Sequence, residues 1–272
     1  MTEQKKYPEP LEALLIILGI FAFLIVFTAV YSIISGADLE DPGALKESTR
    51  YFVLFGGAMF LIAPYIFAVK KNYDIVNVFR LKPVPAAVIG LSILIGLSAG
   101  VLTDELERLI SIFFPLPDWI TEMTQPLRAY DSFDWLLVIT GAVLLTPLAE
   151  EFLFRGFLQI SLEKKGDVTR AVLLSSLCWT LIHSNPYWAV SIFIIGIIFG
   201  FMAWRCDSIL PPFSAHAANN LMAVIFLNSN TDSIKSWYLQ GDHVSPLVLA
   251  VSLLILVWSI RRMSAIYQQP DF

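Results

Sequence analysis

The chain has 272 residues, of which 57% are hydrophobic and only 15% are charged. A soluble domain carries about 25% charged residues, so this composition disfavours a soluble enzyme or binding module. The net charge of −5 comes partly from an acidic segment at residues 101–134 and argues against nucleic-acid binding. Together with a mean hydropathy of +0.69, these values predict an integral membrane protein.

Charge-free apolar runs predict eight membrane-spanning helices. A hydrocarbon core of about 30 Å takes about 20 helical residues to cross. The run from Ala171 to Trp204 is too long for one span, and we expect it to break at the turn-forming cluster Ser184-Asn185-Pro186. The predicted spans are residues 13–36, 51–69, 84–103, 135–149, 171–184, 187–204, 208–228 and 244–260.

The distribution of Lys and Arg predicts that both termini are cytoplasmic. With the N-terminus inside, 13 of the 18 basic residues fall in inner segments and 5 in outer segments. The first run is longer than a signal-peptide core, so we expect a retained span. The predicted fold class is therefore all-α, a polytopic bundle of about eight transmembrane helices forming one membrane domain, residues 1–272. Because no organelle retention signal is present, we expect a prokaryotic plasma membrane.

Residues Thr103–Phe114 allow two interpretations. Thr103 is a plausible N-cap for a separate helix lying on the outer leaflet, because an acidic first turn follows it. Alternatively, the segment extends the third span. Pro115 and Pro117 end the helical pattern in either case.

The end of the fourth predicted span carries Glu150, Glu151 and Arg155. A charge at the middle of a membrane helix costs roughly 2.5–3.5 kcal/mol, so it normally has a partner or a function. Glu151 and Arg155 have the i, i+4 spacing of a helical ion pair. Glu150 points about 100° away, so we expect its carboxylate to be available for chemistry. Glu150 could instead begin a solvated loop, but the apolar residues 152–154 that follow favour an embedded pair.

Two of the three histidines lie inside predicted spans. His183 follows Trp179 by one helical turn and His216 precedes Asn220 by one turn, so each pair shares a helix face. A single buried histidine is more often a hydrogen-bonded core residue, and the small residues around His216 are typical of close helix packing. If these groups meet Glu150, they could activate water, bind a divalent metal and stabilise an oxyanion. Such a set suits hydrolysis of an acyl bond.

Three motifs in this order resemble those of the CAAX protease and bacteriocin-processing (CPBP, Abi) family, which includes the Ras-converting CAAX endopeptidases. The motifs are Glu150-Glu151-x-x-x-Arg155, Trp179-x-x-x-His183 and His216-x-x-x-Asn220. The first motif alone would be unspecific, whereas the ordered set is specific. The resemblance implies a catalytic core at residues 135–228 and agrees with eight spans.

The resemblance also implies an intramembrane endopeptidase acting on a peptide or protein in the lipid bilayer. Its catalytic residues would be Glu150 to activate the attacking water, His183 to hold it, and His216 with Asn220 to stabilise the oxyanion. The substrate would be a prenylated C-terminal peptide, a bacterial peptide precursor or another membrane protein. Whether the enzyme is a metalloprotease stays open. Candidate ligands of a divalent metal such as zinc are Glu150, His183 and His216.

The same resemblance implies supporting roles for Glu151 and Arg155. At Trp179 the family commonly has phenylalanine, a difference that we expect to affect packing rather than chemistry.

Other functions are also compatible with the sequence. Gly96-Leu-Ser-Ala-Gly100 matches the serine-hydrolase pattern G-x-S-x-G, but without its strand–turn–helix context we interpret it as a chance match. A proton-coupled transporter would use buried Glu and His but predicts internal repeats, which are not evident. A non-catalytic scaffold or bacteriocin-immunity protein that retains the fold remains an alternative.

Overall fold

The computed structural model describes residues 7–35, 42–229 and 237–267. The described chain is helical apart from loops and one two-stranded antiparallel hairpin. The α-helices are α1 (Pro10–Ser35), α2 (Pro42–Lys70), α3 (Ile75–Val78), α4 (Ala86–Phe113), α5 (Asp118–Thr124), α6 (Ser132–Glu163), α7 (Val168–Ile182), α8 (Ala189–Cys206), α9 (Leu210–Asn228) and α10 (Pro246–Ile266). A 3₁₀ helix spans Gln125–Leu127, and the strands are β1 (Leu239–Gln240) and β2 (His243–Val244).

Each predicted apolar run overlaps one of these helices. Among the described residues, five helical segments are long and apolar enough to cross a membrane, namely Pro10–Tyr31 of α1 and the helices α4, α6, α8 and α10. The all-α membrane class is therefore confirmed, while the count of eight spans and the orientation of the termini stay predictions. Three of the basic residues used for the orientation, Lys5, Lys6 and Lys235, lie outside the described residues.

The chain forms two compact units. The first unit comprises residues 1–80 and 118–171, and it contains α1–α3, α5 and α6. The second unit comprises residues 81–117 and 172–272, and it contains α4, most of α7, α8–α10 and the hairpin.

Aromatic stacking on α6 organises the core of the first unit. The rings of Phe79 and Phe152 are stacked with centroids 3.8 Å apart, and Phe157 lies on the same Phe79 ring at 5.7 Å. Phe60 meets Phe154 edge to face at 6.4 Å. Such pairs add about 0.5–1.5 kcal/mol each beyond the apolar area that they bury. This packing holds the middle of α6 at a defined position within the unit.

Helix α6 contains two π-helical segments along its length. Ile139–Leu145 and Phe152–Leu158 are π-helical, and Thr146–Glu151 between them is α-helical. The amide of Thr146 donates to the carbonyl of Gly141, five residues earlier. Such π-helical turns are rare in α-helices, and those that occur are often found at functional sites. The α-helical turn between them carries Glu150 and Glu151.

Close contact between α4 and α9 organises the second unit. A Cβ atom added to Gly96 would lie 2.0 Å from the carbonyl oxygen of Ala215, and one added to Gly100 would lie 2.4 Å from Oδ1 of Asn219. The predicted close helix approach at the small residues of α9 is confirmed. Gly96 and Gly100 have the small-xxx-small spacing of helix packing in membranes. The G-x-S-x-G match therefore has a packing role.

The predicted break at Ser184-Asn185-Pro186 is confirmed. Helix α7 ends at Ile182, and Ser184 takes a left-handed backbone conformation with φ of 50°. Oδ1 of Asn185 then accepts hydrogen bonds from the amides of Tyr187 (3.0 Å) and Trp188 (3.4 Å). This Asx turn leads the chain directly into α8.

Residues Thr103–Phe113 continue α4, so the interpretation of this segment as a separate interfacial helix is wrong. Thr103 lies inside the helix, and its Oγ1 donates to the carbonyl of Ala99 at 2.9 Å instead of capping a new helix. A threonine inside a helix commonly donates to the preceding turn in this way. The helix ends at Phe113, before Pro115, as the proline positions predict.

Two acidic residues of α4 hold the β-hairpin in the second unit. The hydroxyl of Tyr238 donates to Oδ2 of Asp104 at 2.8 Å, and the Glu105 carboxylate accepts from the amide of Val244 at 2.7 Å. Nδ1 of His243 lies 2.8 Å from the same Glu105 carboxylate. Burial and the Asp104 carboxylate raise the pKa of Tyr238 above its ordinary value. The third histidine of the chain therefore contributes to this attachment.

Candidate active site

Glu150, Glu151 and Arg155 lie on α6 in the first unit. Glu150 is 7% exposed, and Glu151 and Arg155 are fully buried. Nε of Arg155 lies 3.3 Å from Oε2 of Glu151, so the predicted i, i+4 ion pair is confirmed. Glu150 does not begin a loop, because α6 continues to Glu163. Two adjacent carboxylates are therefore embedded in one helix, and the second of them pairs with Arg155.

The ion pair is joined to a larger polar network that the sequence analysis missed. Nη1 of Arg80 donates to the carbonyl oxygen of Arg155 at 3.4 Å, and the Arg80 guanidinium forms an ion pair with Glu163. Nε2 of Gln159 donates to Oε1 of Glu163 at 2.8 Å. Buried charges are tolerated only when they are paired and hydrogen-bonded.

A signal for part of this network is present in the sequence. Glu151, Arg155, Gln159 and Glu163 recur at every fourth position, a spacing that places successive side chains on nearby parts of a helix surface. Arg80 could not be found in this way, because it belongs to a loop about 75 residues earlier. Its contact depends on how the first unit packs.

His183 lies in the second unit, where α7 ends. The amide of His183 donates to Thr180, three residues back, which leaves the carbonyl of Trp179 available. Nδ1 of His183 lies 2.7 Å from that carbonyl oxygen. A carbonyl only accepts, so Nδ1 must carry the proton, and Nε2 of the neutral ring is then the acceptor. The loss of one helical hydrogen bond thus fixes the tautomer of this histidine.

His216 lies on α9 among aromatic rings of the second unit. Its imidazole is 4% exposed, and its centroid lies 5.3 Å from Trp179 and 5.3 Å from Phe199. The Trp179 ring also meets His183 edge to face, with centroids 5.0 Å apart. The structure therefore brings both imidazoles against one indole, which confirms that Trp179 and His183 share a helix face.

A glycine on α8 leaves room for this indole. A Cβ atom on Gly196 would lie 3.1 Å from Cε3 of Trp179, tighter than nine in ten real Cβ contacts. Asn220 lies one turn after His216 on α9 and is partly buried. The i, i+4 spacing predicts that Trp179 shares a helix face with His183, but no pattern in the sequence indicates that its ring also contacts His216.

Whether these residues fit a divalent metal depends on the number of ligands. A catalytic zinc site typically uses three protein ligands. His183 and His216 fit as imidazole ligands, since the bond from Nδ1 of His183 orients its Nε2 as ligand-orienting contacts do. Within neither unit do three or more described His, Cys, Asp or Glu side chains form a group able to hold a metal. The two imidazoles of the second unit alone do not complete such a site.

Comparison with known proteins adds one match. Residues 132–222 match the family described as Type II CAAX prenyl endopeptidase Rce1-like. No curated protein and no solved structure matches the chain. The matched segment begins with α6, ends within α9 and contains all three motifs of the sequence analysis. This match, over about a third of the chain, supports an assignment of residues 132–222 to the CPBP/CAAX protease family.

Proposed function

We propose that the protein is an intramembrane endopeptidase that hydrolyses a peptide bond of a membrane-associated protein or peptide. The observation that carries this proposal is the family match, because its 132–222 segment contains every residue of the three motifs. The five candidate spans support an enzyme embedded in a lipid bilayer. The prokaryotic plasma membrane stays a prediction.

In the proposed reaction, Glu150 is the general base. It removes a proton from water while the water oxygen bonds to the carbonyl carbon of the substrate, and the π electron pair moves to the carbonyl oxygen. The buried position of Glu150 supports this role, because a shielded carboxylate can hold one water molecule while bulk water is excluded. When the C–N bond breaks, the protonated Glu150 returns its proton to the leaving nitrogen.

The residues of the second unit would act on the water and on the oxyanion. Nε2 of His183 accepts a hydrogen bond from the attacking water, as the protonated Nδ1 of its neutral ring allows. His216 and Asn220 donate hydrogen bonds to the developing oxyanion. Each such donor is typically worth a factor of about 10²–10³ in rate.

A metal would change the source of activation but not the residues involved. A divalent ion held by Glu150, His183 and His216 would supply Lewis-acid polarisation and lower the pKa of the attacking water. The glutamate alone is the other candidate for activating the water. We propose a prenylated C-terminal peptide as the first substrate to test, because the family description names prenyl endopeptidases.

The proposal is tested by comparing the purified wild type with Glu150→Gln on quenched peptides. The peptides are prenylated C-terminal sequences and precursors with a double-glycine leader. Loss of the base should lower kcat by about 10²–10⁴-fold, the usual contribution of general acid–base catalysis. Asp167→Asn is the matched control, because this exposed carboxylate lies between α6 and α7 and pairs with Arg170 of α7. Trp179→Phe should retain most of the activity.

Absence of cleavage by a folded wild type across both peptide classes would contradict the peptidase assignment and favour the non-catalytic scaffold. Equal activity of the wild type and Glu150→Gln would contradict the role of Glu150 as general base but not the peptidase assignment. Chelator treatment separates the two modes of activation. Loss of activity that zinc restores indicates a metalloprotease, whereas an unchanged rate indicates activation by glutamate alone.

A further inference from the structure

An apolar groove of about 460 Å³ lies between α1 and α2 in the first unit. Its lining includes Leu15, Phe23, Met59 and Ile66, and the one charged residue of the lining is Lys70. Leu15 is 58% exposed and Phe23 is 50% exposed, so the groove opens to the surroundings of the protein. The α1 side contains the candidate span Pro10–Tyr31 and the α2 side contains the shorter apolar segment Gly56–Lys70, so a lipid chain is a compatible neighbour for the groove.

The length of the groove fits one leaflet of a bilayer. Along α1 the lining runs from Leu15 to Phe23, about 12 Å at 1.5 Å per residue. Half of a hydrocarbon core of about 30 Å is about 15 Å. A hydrocarbon chain lying along the helices would therefore be covered over most of its depth in one leaflet.

The groove is open at its middle because two small residues face it. Gly19 of α1 and Ala63 of α2 are both in the lining. A Cβ atom added to Gly19 would have no other atom within 4 Å. No neighbouring side chain fills the space that this exposed glycine leaves.

A positive charge stands at one end of the groove. The two helices run antiparallel there, as Nζ of Lys71 lies 3.2 Å from Oε1 of Glu12. Lys70, the last residue of α2, is exposed and makes no ion pair with any residue that the structure describes. Its ammonium group is therefore available at the mouth of an apolar groove.

We propose that this groove binds one acyl chain of an anionic phospholipid, with the lipid phosphate bound by Lys70. The apolar lining takes the hydrocarbon chain and the ammonium group selects the negative headgroup. All lining residues lie outside the 132–222 segment. The lipid site is thus separate in sequence from the proposed catalytic residues.

The test titrates delipidated protein in detergent with phosphatidylglycerol or phosphatidylcholine of identical chains, and native mass spectrometry counts the bound lipids. The wild type should retain one phosphatidylglycerol in preference to phosphatidylcholine. Gly19→Leu should abolish this bound lipid, because the new side chain occupies the middle of the groove and its Cβ has no other atom within 4 Å. Gly90→Leu is the matched control, since Gly90 is also an exposed helical glycine with no other atom within 4 Å of an added Cβ.

Lys70→Gln should reduce the preference for phosphatidylglycerol by about fivefold, the factor corresponding to about 1 kcal/mol per basic residue near an anionic surface. Arg262→Gln, which removes an exposed charge near the end of α10, should leave the preference unchanged. Equal lipid binding by the wild type and Gly19→Leu would overturn the site. An unchanged preference in Lys70→Gln would overturn the proposed headgroup contact. If the wild type is a dimer and Gly19→Leu is a monomer, the groove binds a second copy of the chain instead of a lipid.

Discussion

Replacing Gly96 by alanine tests the close packing of α4 against α9. The added methyl carbon would lie 2.0 Å from the carbonyl oxygen of Ala215 and 2.8 Å from its Cα. These are backbone atoms, so no rotation of a side chain can relieve the contact. Because ordinary contacts begin near 3.4 Å, the two helices would have to separate by about 1.4 Å at this point.

The expected loss of stability follows from two opposing effects. Alanine favours a helix by about 1 kcal/mol over glycine. Forcing an extra carbon into a well-packed contact costs typically about 1–3 kcal/mol, and a clash with backbone atoms belongs at the upper end. We therefore expect Gly96→Ala to lower the free energy of unfolding by about 1–2 kcal/mol.

Thermal unfolding in detergent, followed by circular dichroism, measures this effect. Gly90→Ala is the control. It gains the same helix propensity at an open position, so its melting temperature should equal or exceed that of the wild type. The difference between the two variants isolates the packing cost.

A consequence for activity follows if the protein is a peptidase. His216 is adjacent to Ala215, and a misplacement of about 1 Å can cost about 10²-fold in rate. Gly96→Ala should therefore lose activity at temperatures where it is still folded. If Gly96→Ala were as stable as Gly90→Ala, the close approach of α4 and α9 would be wrong.

Two further variants test buried polar contacts, one in each unit. Arg155→Met leaves the Glu151 carboxylate buried without its cation, so it should lower the free energy of unfolding by about 3–5 kcal/mol, measured by thermal unfolding. Tyr238→Phe removes the hydroxyl that donates to Asp104, and the same measurement should show a loss of about 1–3 kcal/mol.

Each of these variants has its own control. Arg155→Met combined with Glu151→Leu removes both charges and should be more stable than Arg155→Met alone. A double variant no more stable than that single variant would contradict a specific ion pair. For the hairpin, Asp104→Asn combined with Tyr238→Phe should cost less than the sum of the single changes. Strict additivity would show that the hydrogen bond contributes nothing to stability.

Local patterns predicted a large part of this protein. The charge-free runs, the break at Ser184-Asn185-Pro186 and the ion pair between Glu151 and Arg155 each depend on residues that are near in sequence. Helix geometry determines the relative positions of such residues, so these helices, the break and the ion pair could be predicted without knowing how the helices pack. The catalytic roles were inferred from motif resemblance, and they stay predictions.

The contacts between distant residues were decided only by the tertiary structure. No helical period indicates that Arg80 reaches the carbonyl of Arg155, or that Trp179 contacts His216. The packing role of the G-x-S-x-G pattern at Gly96–Gly100 is evident only from the structure, in which Ala215 and Asn219 lie directly against the two glycines. The physical reason is that the periodicity of one helix determines which of its faces is apolar. Which residues of another helix meet that face depends on the loops, the crossing angles and the packing of the whole unit.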